Sequence, residues 1–134
     1  MAVDSTFVLH RTNDYFFKRV FGSEEGKEIL IDFLNATQNR PPHDQIQSVT
    51  LEDREIDPER YLDKAIRLDV VALTELGHVY QIEVQVADQV FIDKRSLYYW
   101  SALYHRQLQR GKLYSELNPT VSINILAFEW FKED

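Results

Sequence analysis

The sequence predicts one α/β domain. Two adjacent strand patterns occupy 67–73 and 79–86, and apolar residues recur at helical spacing before and after them. No internal repeat, low-complexity run or linker separates these segments. A chain of 134 residues that is 44% hydrophobic can bury a real core and is too apolar to remain disordered.

Residues 1–12 read as a lead-in. Asn13-Asp14 is suited to cap a short helix from Tyr15 to Phe21, whose apolar positions are Phe16, Phe17, Val20 and Phe21. Gly22 ends it, and Ser23 caps a second helix with Glu24 and Glu25 in the first turn, where the helix dipole favours acids. Ile29, Leu30, Phe33 and Leu34 give that helix its apolar stripe, and Pro41-Pro42 forbids its continuation. A strand is expected within Ile46 to Ile56, followed by a turn at Asp57-Pro58-Glu59-Arg60. After the strand pair, Asp88 is the expected cap of a long helix from about Val90 to Gln109, ended by Gly111. Its aromatic residues Tyr98, Tyr99, Trp100 and Tyr104 are expected to pack on the sheet, with base stacking as the sharper alternative. Asn118-Pro119 breaks the chain before a last strand, Val121 to Phe128, apolar on both sides. Such a strand calls for a further cover, from downstream sequence or from a second copy in a homodimer.

The strand pair holds the chemistry. Its first strand, Arg67 to Leu73, is apolar on both faces except at Asp69, as in a strand buried in mid-sheet. The second alternates: Tyr80, Ile82, Val84 and Val86 form an apolar face, and Gln81, Glu83 and Gln85 a polar one. An acid on one strand beside Glu-x-Gln on the next can hold a divalent metal. Loop parity decides whether the acids meet. A two-residue loop, Leu76-Gly77, sets Asp69 opposite Val84, on the wrong face. A loop of odd length, or a bulge, sets Asp69 opposite Glu83 or Gln85, and Gly77 suits the left-handed position such a loop needs. An unpaired carboxylate amid Val70, Val71 and Ala72 is costly, so Asp69 requires a metal or a cation such as Lys64 or Arg67. The bland alternative is that Glu83 and Gln85 face water on an edge strand.

The net charge of −7 argues against a generic nucleic-acid coat. The charge is uneven: residues 44–75 carry nine acids and four Lys/Arg, whereas residues 90–112 carry five Lys/Arg and one acid. A phosphate-facing surface belongs in the second window, where the alternative is a solvated helix face. There is no cysteine, which excludes disulfides and thiolate sites and fits a reducing, cytoplasmic setting. No membrane span is read, and the four histidines show no ligand spacing.

Asp69 followed by Glu83-x-Gln85 on the neighbouring strand, after a helix and before a long helix, resembles the core of the PD-(D/E)XK nuclease superfamily. More narrowly, the chain resembles the recombination-promoting nuclease and transposase family. The likeness runs through Asn13-Asp14 to Phe21-Gly22, Ile29 to Asn35, Lys64 with Arg67 to Val70, Ile82 to Gln85, Arg95 to Ser101, Gln107, Gly111, Tyr114 and the last strand, over residues 13–131. It implies a restriction-endonuclease-like αβββαβ core, a mixed central sheet flanked by helices, and metal-dependent cleavage of DNA.

The same resemblance assigns roles. Asp69 and Glu83 would hold Mg²⁺ or Mn²⁺, with the Val84 carbonyl as a further ligand, and Gln85 would orient water or phosphate. A further acid from an early helix is expected; Glu28 and Asp14 are the candidates, the first equally a surface residue and the second equally an N-cap. Lys64, Arg67, Arg95 and Gln107 are the candidate phosphate or DNA contacts. Gln85 stands where the superfamily usually has Lys, which leaves open a catalytically silent nuclease-fold module that binds DNA or protein.

Overall fold

A computed structural model describes residues 11–56, 65–85, 91–108 and 111–126. Two helices come first, α1 (Arg11–Phe21) and α2 (Lys27–Thr37). Ser23 performs the expected cap, but on a 3₁₀ turn, Glu24–Gly26, where its hydroxyl accepts the Gly26 N–H at 3.2 Å. Gly26 is buried so tightly that a Cβ there would lie 1.7 Å from the Val20 carbonyl oxygen. That contact packs the α1–α2 corner, and glycine is the residue that permits it.

The expected strand within Ile46 to Ile56 is two short ones, β1 (Val49–Leu51) and β2 (Glu55–Ile56). The strand expected from Arg67 to Leu73 is likewise divided into β3 (Ile66–Arg67) and β4 (Val70–Thr74), with a bend at Asp69. The pairing explains the division: β2 and β3 form a two-stranded sheet, whereas β1 and β4 belong to the main one. The Leu68 N–H reaches the Arg54 carbonyl at 2.8 Å, so the chain leaves one ladder and enters the other across Asp69.

The main sheet continues with β5 (Val79–Gln85) and β6 (Thr120–Leu126), in the order β1-β4-β5-β6. β4 is antiparallel to both its neighbours, and β5 and β6 are parallel, joined through the helix α3 (Ile92–Arg106). The sheet is therefore mixed and the order αβββαβ holds. The β4–β5 register pairs Leu73 with Val79 and Val70 with Ile82, leaving the three-residue loop Glu75-Leu76-Gly77. Gly77 adopts φ +80°, the left-handed position expected of it. Continued by one step, that register sets Asp69 against Glu83.

Helices cover both faces. Val70, Ala72, Tyr80 and Ile82 pack with Phe21, Leu30 and Leu34 of α1 and α2. Val71 and Val79 on the opposite face pack with Leu68 and with Leu103 of α3. Full burial of a side chain of this size contributes about 1.5–3 kcal/mol each. Trp100 ties α3 to β6 by donating to the Thr120 carbonyl at 2.9 Å, and it stacks on Tyr104. Tyr99 also packs against the sheet, but Tyr98 is exposed, contrary to its expected packing role. Phe91 enters α3 at φ +67°; Asp88, the expected cap, lies outside the described residues. Among those residues no helix is long and apolar enough to cross a membrane.

Candidate active site

The polar face of β5 does not face water. Gln81, Glu83 and Gln85 are all buried, with Glu83 only 3% exposed, because β5 is central and α3 lies over that face. The edge-strand alternative therefore fails. Period-two alternation put the three side chains together; the covering helix removed them from solvent.

Asp69 and Glu83 hold each other's backbone. Glu83 Oε1 accepts the Asp69 N–H at 3.1 Å, and Asp69 Oδ2 accepts the Val84 N–H at 2.9 Å. The bend at Asp69 frees the β5 edge at Val84, so the Asp69 side chain occupies the place of a ladder partner. The Val84 N–H points to that side, and in a strand the carbonyl of the same residue points there too. Burial, first, and the negative charge of Asp69, second, push the Glu83 carboxyl from 4.5 up to about 7. The pair is thus an electrostatic cost in need of a cation. Two carboxylates and a carbonyl, all oxygen donors, fit a hard divalent ion such as Mg²⁺ or Mn²⁺.

One cation is already present. Lys18 of α1 places Nζ 3.2 Å from Asp69 Oδ1. Arg54 adds a bond from Nη1 to the Asp69 carbonyl at 3.3 Å. Gln81 donates from Nε2 to Glu83 Oε1 at 3.1 Å, so that carboxylate oxygen is held from both sides. Among the described residues, Gln81 Oε1 and Ser122 Oγ, on residues paired across β5 and β6, are buried without a hydrogen-bond partner.

Gln85 lies on the same face, and its Oε1 meets Arg95 Nη1 at 3.4 Å; the Arg95 guanidinium also lies 5.0 Å from the Tyr99 ring centroid. Arg95 is therefore brought to the site. Arg67 is exposed on β3, and Glu28 is exposed in the first turn of α2. Among the described residues no third His, Cys, Asp or Glu joins the carboxylate pair. Gln107 is used within the fold: it donates to Thr120 Oγ1 at 2.7 Å and accepts the Asn118 N–H at 2.9 Å, at the far end of β5 from Glu83. Lys64 and the Asp14 side chain lie outside what is described.

Sequence reading missed Lys18, Arg54 and Gln81. Gln81 shares the alternation of Glu83 and Gln85 and was legible on that ground. No local spacing links Lys18 or Arg54 to Asp69; tertiary packing alone brings them there.

A mixed four-stranded sheet between helices, with an acid at the β4 bend beside Glu-x-Gln on β5, defines a restriction-endonuclease-like nuclease fold. The family model for PD-(D/E)XK nuclease family transposases matches residues 11–134, and the chain belongs to that family. No curated protein and no solved structure matches the chain.

Proposed function

We propose that this chain is a Mg²⁺- or Mn²⁺-dependent DNA endonuclease that hydrolyses phosphodiester bonds in recombination or transposition. The observation that carries the reading is the reciprocal hold of Asp69 and Glu83, which sets two carboxylates side by side in a buried site against their own repulsion. Lys18 offsets only Asp69, so the buried Glu83 carboxylate remains an electrostatic cost that a bound metal ion would relieve. Asp69, Glu83 and the Val84 carbonyl would hold the ion. When bound, it would neutralise phosphate charge and make a water more acidic.

The remaining residues bind and orient. Gln85 carries no charge and takes no proton near neutral pH; its amide would donate to a phosphate oxygen or position the attacking water. Arg95, beside Gln85 and braced on Tyr99, would hold the DNA backbone.

Plasmid nicking with Mg²⁺, with Mn²⁺ and with a chelator tests the reading. Nicking is expected only with metal, and both Asp69→Ala and Glu83→Ala should abolish it. Equal nicking by both variants would sink the proposal.

The second reading is a binding module that keeps the fold without the reaction. Gln85 favours it, being neutral and already engaged by Arg95. That reading expects no metal binding at the β4–β5 site. Calorimetric titration with Mn²⁺ separates the two, since tight binding lost in Asp69→Ala rules the silent module out.

A further inference from the structure

The carboxylate face of β5 carries no cation of its own: Gln81, Glu83 and Gln85 supply two amides and an acid. Hydrolysis of a phosphodiester nevertheless builds negative charge on the phosphate oxygens, and a fixed positive group close by stabilises it. Among the described residues, the cation in contact with the carboxylate pair comes from α1. Lys18 Nζ lies 3.2 Å from Asp69 Oδ1, while Asp69 Oδ2 is committed to the Val84 N–H. The Lys18 side chain is about one-third exposed (35%), more open than that of Asp69 at 16%, so solvent and a ligand reach it more readily.

The fold fixes this position. Phe17 and Phe21, on either side of Lys18 in α1, have ring centroids 5.6 Å apart, and Phe21 packs on Phe33 of α2 at 4.8 Å. The Gly22 N–H closes the helix on the Lys18 carbonyl at 2.9 Å. A Cβ at Gly22 would stand 2.7 Å from that oxygen and 3.8 Å from Val70 Cγ2, so the end of α1 is seated directly on β4. Lys18 thus extends from a helix turn anchored to the strand that follows Asp69.

We propose that Lys18 is a catalytic residue of this nuclease, touching the scissile phosphate and stabilising the charge that develops there. The inference rests on the nuclease reading above. With DNA bound, the ammonium would turn from Asp69 Oδ1 to a non-bridging phosphate oxygen, leaving Asp69 and Glu83 as the residues that would hold the metal. In the step itself, the water oxygen forms the new P–O bond and its proton passes to solvent. The bond to the leaving oxygen breaks with its electron pair, and that oxygen takes a proton from solvent. Lys18 makes and breaks no bond and stays charged throughout.

Lys18→Met keeps the length of the side chain and removes the charge; Lys18→Arg keeps the charge. Both are compared with the parent by Mn²⁺ calorimetry, thermal melting and plasmid nicking at saturating metal. The expected result is that Lys18→Met binds Mn²⁺ as tightly as the parent or more tightly, because a competing cation at Asp69 is gone. Its kcat should fall by about 10²-fold or more with KM for DNA changed only a few-fold, and Lys18→Arg should recover part of the loss. Parental kcat in Lys18→Met would overturn the inference while leaving the nuclease reading intact, and would make Lys18 only a place-holder for the metal. Loss of Mn²⁺ binding in Lys18→Met also overturns it, by making the role one of positioning Asp69. If Lys18→Met does not melt cooperatively, the same outcomes are read on Lys18→Gln. A parent chain that neither binds Mn²⁺ nor nicks overturns both proposals.

Discussion

Asp69 and Glu83 are joined twice: the backbone N–H of Asp69 donates to Glu83 Oε1, and Asp69 Oδ2 accepts from the residue after Glu83. Each acid therefore satisfies the backbone beside the other, although their charges repel. Lys18 offsets the charge of Asp69 alone, and the burial of Glu83 beside that acid keeps an electrostatic cost in the fold.

That cost has a pH signature. The Glu83 carboxyl is raised from 4.5 to about 7, so the folded state binds its proton more tightly than the unfolded state does. The stabilisation is fully present below about pH 4.5 and is lost as pH rises through about 7. The full effect is roughly 3 kcal/mol. In metal-free buffer the melting temperature of the parent should fall over this window, and Glu83→Gln should flatten the fall. Mn²⁺ affinity should rise over the same range, as the competing proton leaves. Parallel melting profiles for parent and Glu83→Gln would contradict the assignment.

Two substitutions separate the structural role of Asp69 from its proposed role in holding a metal. Asp69→Asn preserves an oxygen for the Val84 N–H and removes the charge facing Glu83. Asp69→Ala leaves that N–H without its acceptor, at a cost of about 1–3 kcal/mol. In metal-free buffer at pH 8, Asp69→Asn should melt at or above the parent temperature and Asp69→Ala below it, while both lose Mn²⁺ binding. Equal melting of the two variants would show that the Val84 bond contributes nothing.

The meeting of Asp69 and Glu83 was legible because strand parity is strict and Gly77 favours an odd loop. The break of the first strand at Asp69 was not, because a single charged residue between Leu68 and Val70 to Leu73 reads as a polar position within one strand. It arises from the exchange of partners between β2 and β1, a long-range choice with no local mark. Whether the alternating polar face of β5 is solvated stays open in the sequence for a similar reason. Its burial depends on where α3 docks, and Leu103 and Tyr99 carry that docking from far along the chain. Helix existence was plain from spacing, yet the first turn after Ser23 is 3₁₀, since close contact at Gly26 constrains the corner.

Gly26 should be among the least tolerant positions. A methyl group there meets the Val20 backbone oxygen, which cannot rotate away as a side chain would. Gly26→Ala should destabilise the fold by about 3 kcal/mol or more through forced separation of α1 and α2. Chemical denaturation measures it directly. A loss below about 1 kcal/mol, within the range of a helix-propensity change, would show that the corner yields easily.

Arg95 tests whether the carboxylate face is also the DNA face. Its bond to Gln85 is long at 3.4 Å, and its stacking on Tyr99 is partly open to solvent, so neither contact is a large source of stability. The net charge of −7 makes most of the surface unfavourable to DNA, which raises the weight of each cation near the site. Arg95→Met should therefore bind duplex DNA more weakly. One phosphate contact fewer should reduce the slope of log affinity against log salt by about 0.9. Fluorescence anisotropy across a salt series, with Ca²⁺ in place of Mg²⁺ to suppress cleavage, reads that slope. Weaker binding with an unchanged slope would mean that Arg95 acts through Gln85 and Tyr99 on the shape of the site and does not touch a phosphate.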